Sequence, residues 1–167
     1  GAQAPLIAPT EVLTRQHAAT LAPLAAAAGA PLALLTARDR GPQRAAIEAT
    51  RPPNVRLLGH APHEVVVDHL RRARAFLFAG EEDFGIAPVE AQAAGRPVIA
   101  YAGGGALDTV LPGVTGEHFG EQTPEALAAT LAQFDPAAYD PAACRANAER
   151  FGVARFEREL RAFLDGI

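Results

Sequence analysis

From residue 75 to residue 99 the chain reads AFLFAGEEDFGIAPVEAQAAGRPVI. The apolar run Ala75 to Ala79 predicts a buried strand. An acidic turn follows, Glu81-Glu82-Asp83, and then Phe84 and Gly85. A helix carrying Glu90 comes next, with a stop at Gly95 and a second strand led by Pro97. This order aims two carboxylates, Glu82 and Glu90, at the end of one strand. In an open α/β sheet, that end is where ligands bind.

The spacing of the pair carries no information alone. Glu117 and Glu125 are also eight apart, as are Glu149 and Glu157, in a chain with twelve glutamates. Only Glu82 and Glu90 straddle a strand-to-helix turn, with Gly85 and Pro88 between them. Context separates this pair from the chance matches that short motifs produce.

The rest of the chain alternates in the same way. Strands are predicted near residues 5–8, 32–36, 55–58, 75–78 and 98–101. Helices are predicted near residues 13–28, 42–50, 62–73, 86–94, 105–110, 124–134, 141–150 and 153–164. Gly29-Ala30-Pro31 supplies a helix stop, and Thr123-Pro124 a cap followed by proline at the first helical position. Strands separated by helices imply parallel βαβ units in a doubly wound, Rossmann-like α/β sheet. The 167 residues suffice for one domain with a real core.

Composition narrows the function classes. A net charge of −4 argues against a nucleic-acid partner. No apolar run is long enough to span a bilayer. The single cysteine, Cys144, forms no internal disulfide and no cysteine metal cage, and predicts a buried thiol on a helix. No Asp-x-Asp pair occurs, so no metal–diphosphate clamp is expected. Every one of the fifteen basic residues is arginine.

Three groups suit ligand chemistry. Gly103-Gly104-Gly105 falls between a strand and a short helix, where close backbone approach and a helix N-terminus suit a diphosphate. A plain tight turn needs fewer glycines. Glu90, expected early in its helix, can accept hydrogen bonds from two vicinal hydroxyls, or can simply complement the helix dipole. Glu82 lies in the preceding loop, and its alternative is a solvated acidic turn. Asp108 is a cap or a surface charge. His60 follows a strand end and reads on its own as a surface loop residue.

The string E-D-F-G-I-A-P-V-E-A-Q-A-A-G-R-P-V-I resembles the nucleotide-sugar signature of retaining GT-B glycosyltransferases of family 4. Residues 100–116 extend the match, which is specific over residues 54–163 and most similar to bacterial O-antigen and capsule mannosyltransferases. The resemblance implies one half of a GT-B fold: a single nucleotide-sugar-binding C-terminal domain over residues 1–167, the N-terminal acceptor domain being absent from this chain. It implies transfer of a hexose, with GDP-mannose the favoured donor, to a polysaccharide or lipid-linked acceptor. No metal or other cofactor is implied, and the fragment alone is expected to be inactive. The expected location is cytoplasmic, with the full-length enzyme peripheral at the inner membrane where its acceptor is lipid-linked.

By the same resemblance Glu82 is the catalytic carboxylate, facing the donor sugar near its anomeric carbon. Phe84, Gly85 and Ile86 present backbone N–H groups to that sugar. Glu90 holds the ribose, Gly103, Gly104 and Gly105 lie beside the diphosphate, and the main chain at His60 meets the base. The family's final helix crosses back to the other domain. The chain departs from the family after its first strand: Arg15 takes the place of a lysine, and the family's arginine falls near the neutral Thr10. The turn after the second strand reads Thr36-Ala37-Arg38-Asp39 in place of a glycine turn, with Arg38 a candidate substitute cation. These departures leave a second reading open, a degenerate non-catalytic nucleotide-sugar-binding or partner module.

Overall fold

The computed structural model describes residues 4–7, 32–35, 49, 55–58 and 61–166. The expected helix at residues 13–28, most of that at 42–50, and the readings at Thr10, Arg15, Gly29-Ala30-Pro31, Thr36, Arg38 and His60 lie outside the described residues.

Six strands form one sheet: β1 (Ala4–Ile7), β2 (Leu32–Leu35), β3 (Val55–Leu57), β4 (Phe76–Phe78), β5 (Val98–Tyr101) and β6 (Gly116–Phe119). Their spatial order is β3-β2-β1-β4-β5-β6, and every pairing is parallel. This is the doubly wound order in which the winding reverses beside the first strand. The reversal lies between β1 and β4, where Leu6 registers with Leu77. In sheets of this order, ligands bind beyond the carboxyl ends of the strands at such a reversal.

Among the described residues the helices are α1 (His63–Arg72), α2 (Ile86–Ala93), α3 (Ala106–Thr109), α4 (Pro124–Gln133), α5 (Pro141–Glu149) and α6 (Val153–Asp165). Each matches an expected segment to within two residues at either end. Strand β6 was not expected. Its Gly116-Glu117-His118-Phe119 carries no run of apolar or β-branched residues. It forms because β5 offers an open edge, and Glu117 and His118 stay half-buried on the last strand of the sheet.

The apolar run behaves as its composition demands. Alternate residues point to opposite faces, so a strand covered on both sides needs apolar residues throughout. Phe76 and Phe78 join Leu70, Ala91, Val98, Ala100, Ala106 and Val110 under α1, α2 and α3. Leu77 joins Val55, Ala75, Ala79, Ile99, Phe119 and Leu127 on the face covered by α4. Cys144 is fully buried on α5, and burial pushes its thiol pKa up. No helix among the described residues is long and apolar enough to cross a membrane.

Thr123 closes the N-terminus of α4: its side-chain oxygen accepts a hydrogen bond from the Ala126 N–H at 3.2 Å, and Pro124 follows. Thr123→Ala is expected to cost about 1 kcal/mol in urea unfolding, the usual worth of such a cap. Thr123→Asp is expected to retain most of that stability.

Candidate functional site

Two loops meet at the carboxyl ends of β4 and β5. The first, after β4, carries Glu81 to Gly85; the second, after β5, carries Gly103 to Gly105. The Gly105 N–H donates to the Glu82 carbonyl at 2.7 Å. A Cβ at Gly104 would collide with that same carbonyl oxygen, and one at Gly105 with the Phe84 carbonyl oxygen. Gly104 is also in the left-handed region, at φ +53°. A Cβ at Gly103 would strike the Tyr101 ring and lie 3.3 Å from the Glu81 carboxyl carbon. The glycines therefore have an intramolecular reason that the sequence did not disclose: at Gly104 and Gly105 two backbones pack with no room for a side chain, and at Gly103 the Tyr101 ring fills the space.

Gly85 begins α2 in the left-handed region, at φ +76°, with no side-chain cap. The backbone N–H groups of Phe84, Gly85 and Ile86 form no hydrogen bond with another described residue. Nor do those of Gly104 and Ala106. Two sets of free donors thus flank the same corner, one opening α2 and one opening α3. Phe84 and Ile86 expose large apolar side chains beside them, at 46% and 64%.

Glu81 and Asp83 are exposed, as an acidic turn would be, but Glu82 is not. Its Oε1 is shut off from solvent with no hydrogen-bond partner, and burial pushes its carboxyl pKa up. Glu90 is exposed on α2. It is the fifth residue of α2 and so stands in the second turn, where the expected start at Ile86 already puts it. No acidic residue occupies the first turn, so dipole compensation does not account for Glu90. Asp108 is exposed on α3 and caps nothing. Arg15 and His60 lie outside the described residues. Among those described, no group of three or more potential ligands could hold a metal ion.

Behind the loops lies a polar network that the sequence reading missed. Gln92 on α2 and Asn147 on α5 are both buried, and both donate to the Thr109 carbonyl, at 2.8 and 2.9 Å. Asn147 also donates to Gln92 Oε1 at 2.6 Å and accepts from Arg150 at 2.7 Å. The Thr109 hydroxyl donates to the Gly105 carbonyl at 2.8 Å. Helical spacing carried the signal: Pro88, Ala91 and Gln92 share one buried face, as do Cys144, Asn147 and Ala148. Just past α5, the Phe151 ring meets Phe84 edge-on at 5.6 Å, and the Arg150 guanidinium sits 5.4 Å from the centre of the Phe151 ring. Gln122, after β6, donates to the Ala79 carbonyl at 3.0 Å and ties down the base of the first loop.

Two outcomes follow from this geometry. Gly104→Ala is expected to cost about 2 kcal/mol, from the collision with Glu82 and the left-handed backbone; a urea unfolding loss under about 0.5 kcal/mol would mean the loops separate freely. Glu82 is the second test. Its raised pKa makes the charged form costlier in the fold than in the unfolded chain. Below the ordinary carboxyl value both states are protonated and the penalty is absent; it grows as pH rises from that value and is complete once pH passes the raised one. Glu82→Gln should therefore gain stability relative to the wild type as pH rises from roughly 4 toward neutrality. A difference that stays constant across that range would contradict the burial argument.

Comparison with known proteins agrees with the architecture. Residues 39–151 match the glycosyl transferases group 1 family. A D-inositol 3-phosphate glycosyltransferase of Streptomyces scabiei is 34% identical over 129 residues, which cover 74% of this chain but 29% of that protein. The Anabaena protein HepE, solved with UDP and glucose, superposes with a TM-score of 0.75 at 21% identity, over 99% of this chain and 48% of its own. Sucrose-phosphate synthase from Thermosynechococcus elongatus gives a TM-score of 0.73 at 25% identity, over 96% of this chain and 46% of its own. The chain thus spans about half the length of the solved structures it matches and less of the curated relative. Over a Rossmann-like parallel sheet of the kind found in GT-B enzymes, the chain belongs to the glycosyl transferases group 1 family.

Proposed function

We propose that this chain is the donor-binding half of a metal-independent, retaining glycosyltransferase of family 4. The observation that carries the reading is the buried, unpartnered Oε1 of Glu82 beside two sets of free backbone amides. An acceptor shut off from water without a partner is costly, and a ligand hydroxyl would satisfy it. In this reading Glu82 takes a donor-sugar hydroxyl and stabilises positive charge as the glycosidic bond loosens. The amides of Phe84, Gly85 and Ile86 hold the sugar. Those of Gly104 and Ala106 face the diphosphate, with the N-terminus of α3 behind them, and Glu90 binds the ribose. Gly103 and Gly105 shape the loop; their own amides are already spent on the Tyr101 and Glu82 carbonyls. The diphosphate charge falls to arginines, Arg15 first and Arg38 second, with His60 main chain at the base.

Transfer needs a second domain. Helix α6 supports one: Val153, Phe156, Leu160, Phe163 and Leu164 form one exposed apolar stripe on it, which an acceptor domain would cover. The full enzyme is read as cytoplasmic, peripheral at the inner membrane if its acceptor is lipid-linked. GDP-mannose is the first donor to test, on the resemblance to O-antigen and capsule mannosyltransferases. UDP-glucose is the second, because HepE is also solved with it.

Thermal unfolding with GDP, UDP, ADP and their sugar conjugates tests the reading. A ligand at 100 times its dissociation constant should add about 2.7 kcal/mol, for one base selectively. Glu90→Ala should reduce that shift while leaving the ligand-free unfolding temperature unchanged. No shift with any nucleotide would favour the degenerate, non-catalytic module.

A further inference from the structure

Helix α3 is only four residues long, too short to hold its own shape, and two of the free amides, Gly104 and Ala106, flank its N-cap Gly105. What fixes it is remote. Its last carbonyl, Thr109, accepts both buried side-chain amides, Gln92 from α2 and Asn147 from α5, while the Thr109 hydroxyl closes back on Gly105. Asn147 is the node: its NH2 group bridges Thr109 and Gln92, and its oxygen is held by Arg150. Every polar atom of this cluster is engaged, as a buried network must be if it is to fix one geometry.

We infer that Asn147 is a positioning residue for the glycine loop, setting the place of the Gly104 and Ala106 amides toward a ligand's diphosphate without touching it. This rests on the donor-binding reading above. The chain of contacts runs from Asn147 to the Thr109 carbonyl, along one turn of α3 and through the Thr109 hydroxyl to the Gly105 carbonyl. Removing the Asn147 amide leaves Gln92 as the one side-chain anchor of the Thr109 carbonyl, itself no longer held by Asn147, so α3 loosens and the loop amides lose their fixed direction. The sugar-side amides at Phe84 to Ile86 depend on Gly85 and α2, and keep theirs.

The test compares nucleoside with nucleoside diphosphate. Calorimetry with GDP against guanosine, and UDP against uridine, is run on the wild type and on Asn147→Ala. Asn147→Asp, which keeps the shape but removes the NH2 donors, serves if the alanine variant does not fold. Leu127→Ala, in the core of the opposite sheet face, controls for lost stability alone. The expected result is a loss of about tenfold for the diphosphate, the worth of one misdirected hydrogen bond to a charged group, with nucleoside affinity held within about twofold. Leu127→Ala should leave the ratio of the two affinities unchanged. Equal losses for both ligands, no loss, or a shifted ratio in the control overturns the positioning role and leaves the donor reading intact. A wild type that binds none of the four probes overturns both.

Discussion

A single backbone hydrogen bond, Gly105 N–H to the Glu82 carbonyl, joins the two loops on which the site is built. It is short because nothing stands between the two loops; Gly104 and Gly105 see to that. Once the loops are locked, the Glu82 side chain has little freedom to escape into water, and its Oε1 stays enclosed. The two clusters of free amides follow from the same contact, because α2 and α3 both start where these loops end. The sheet provides the frame: β4 and β5 are adjacent and parallel, so both loops leave from the same edge.

Legibility in the sequence tracked the range of the interactions. Strand β4 was readable because five consecutive apolar residues admit few other fates, and α4 because Thr123 and Pro124 mark a helix start. Both are local signals. Strand β6 was not readable, since Gly116 to Phe119 become a strand only by pairing with β5. The same division runs through the site. Glu82, Glu90 and the glycines stood out as motif residues. The reason for Gly104 and Gly105 did not, because it lies in a loop about twenty residues away in sequence. The contacts of Asn147 and Phe151 were invisible for the same reason: their partners are on α2, on α3 and in the first loop.

The position of Glu90 is set by its helix. The left-handed Gly85 fixes where α2 starts, so the carboxylate stands a full turn beyond the helix's free amides. Nothing in the first turn competes with an incoming ligand for those donors. Glu82, by contrast, is held close by the fold and loses solvent in exchange. The two carboxylates are eight residues apart, yet one is enclosed and the other free, an asymmetry that suits different partners.

Phe84 lies on the first loop, and its ring rests on Phe151. Only Gly152 separates Phe151 from the start of α6, whose apolar stripe has no cover among the described residues. One ring contact and one glycine therefore couple the root of α6 to the loop beside Glu82, so the helix and the loop share a single mechanical joint.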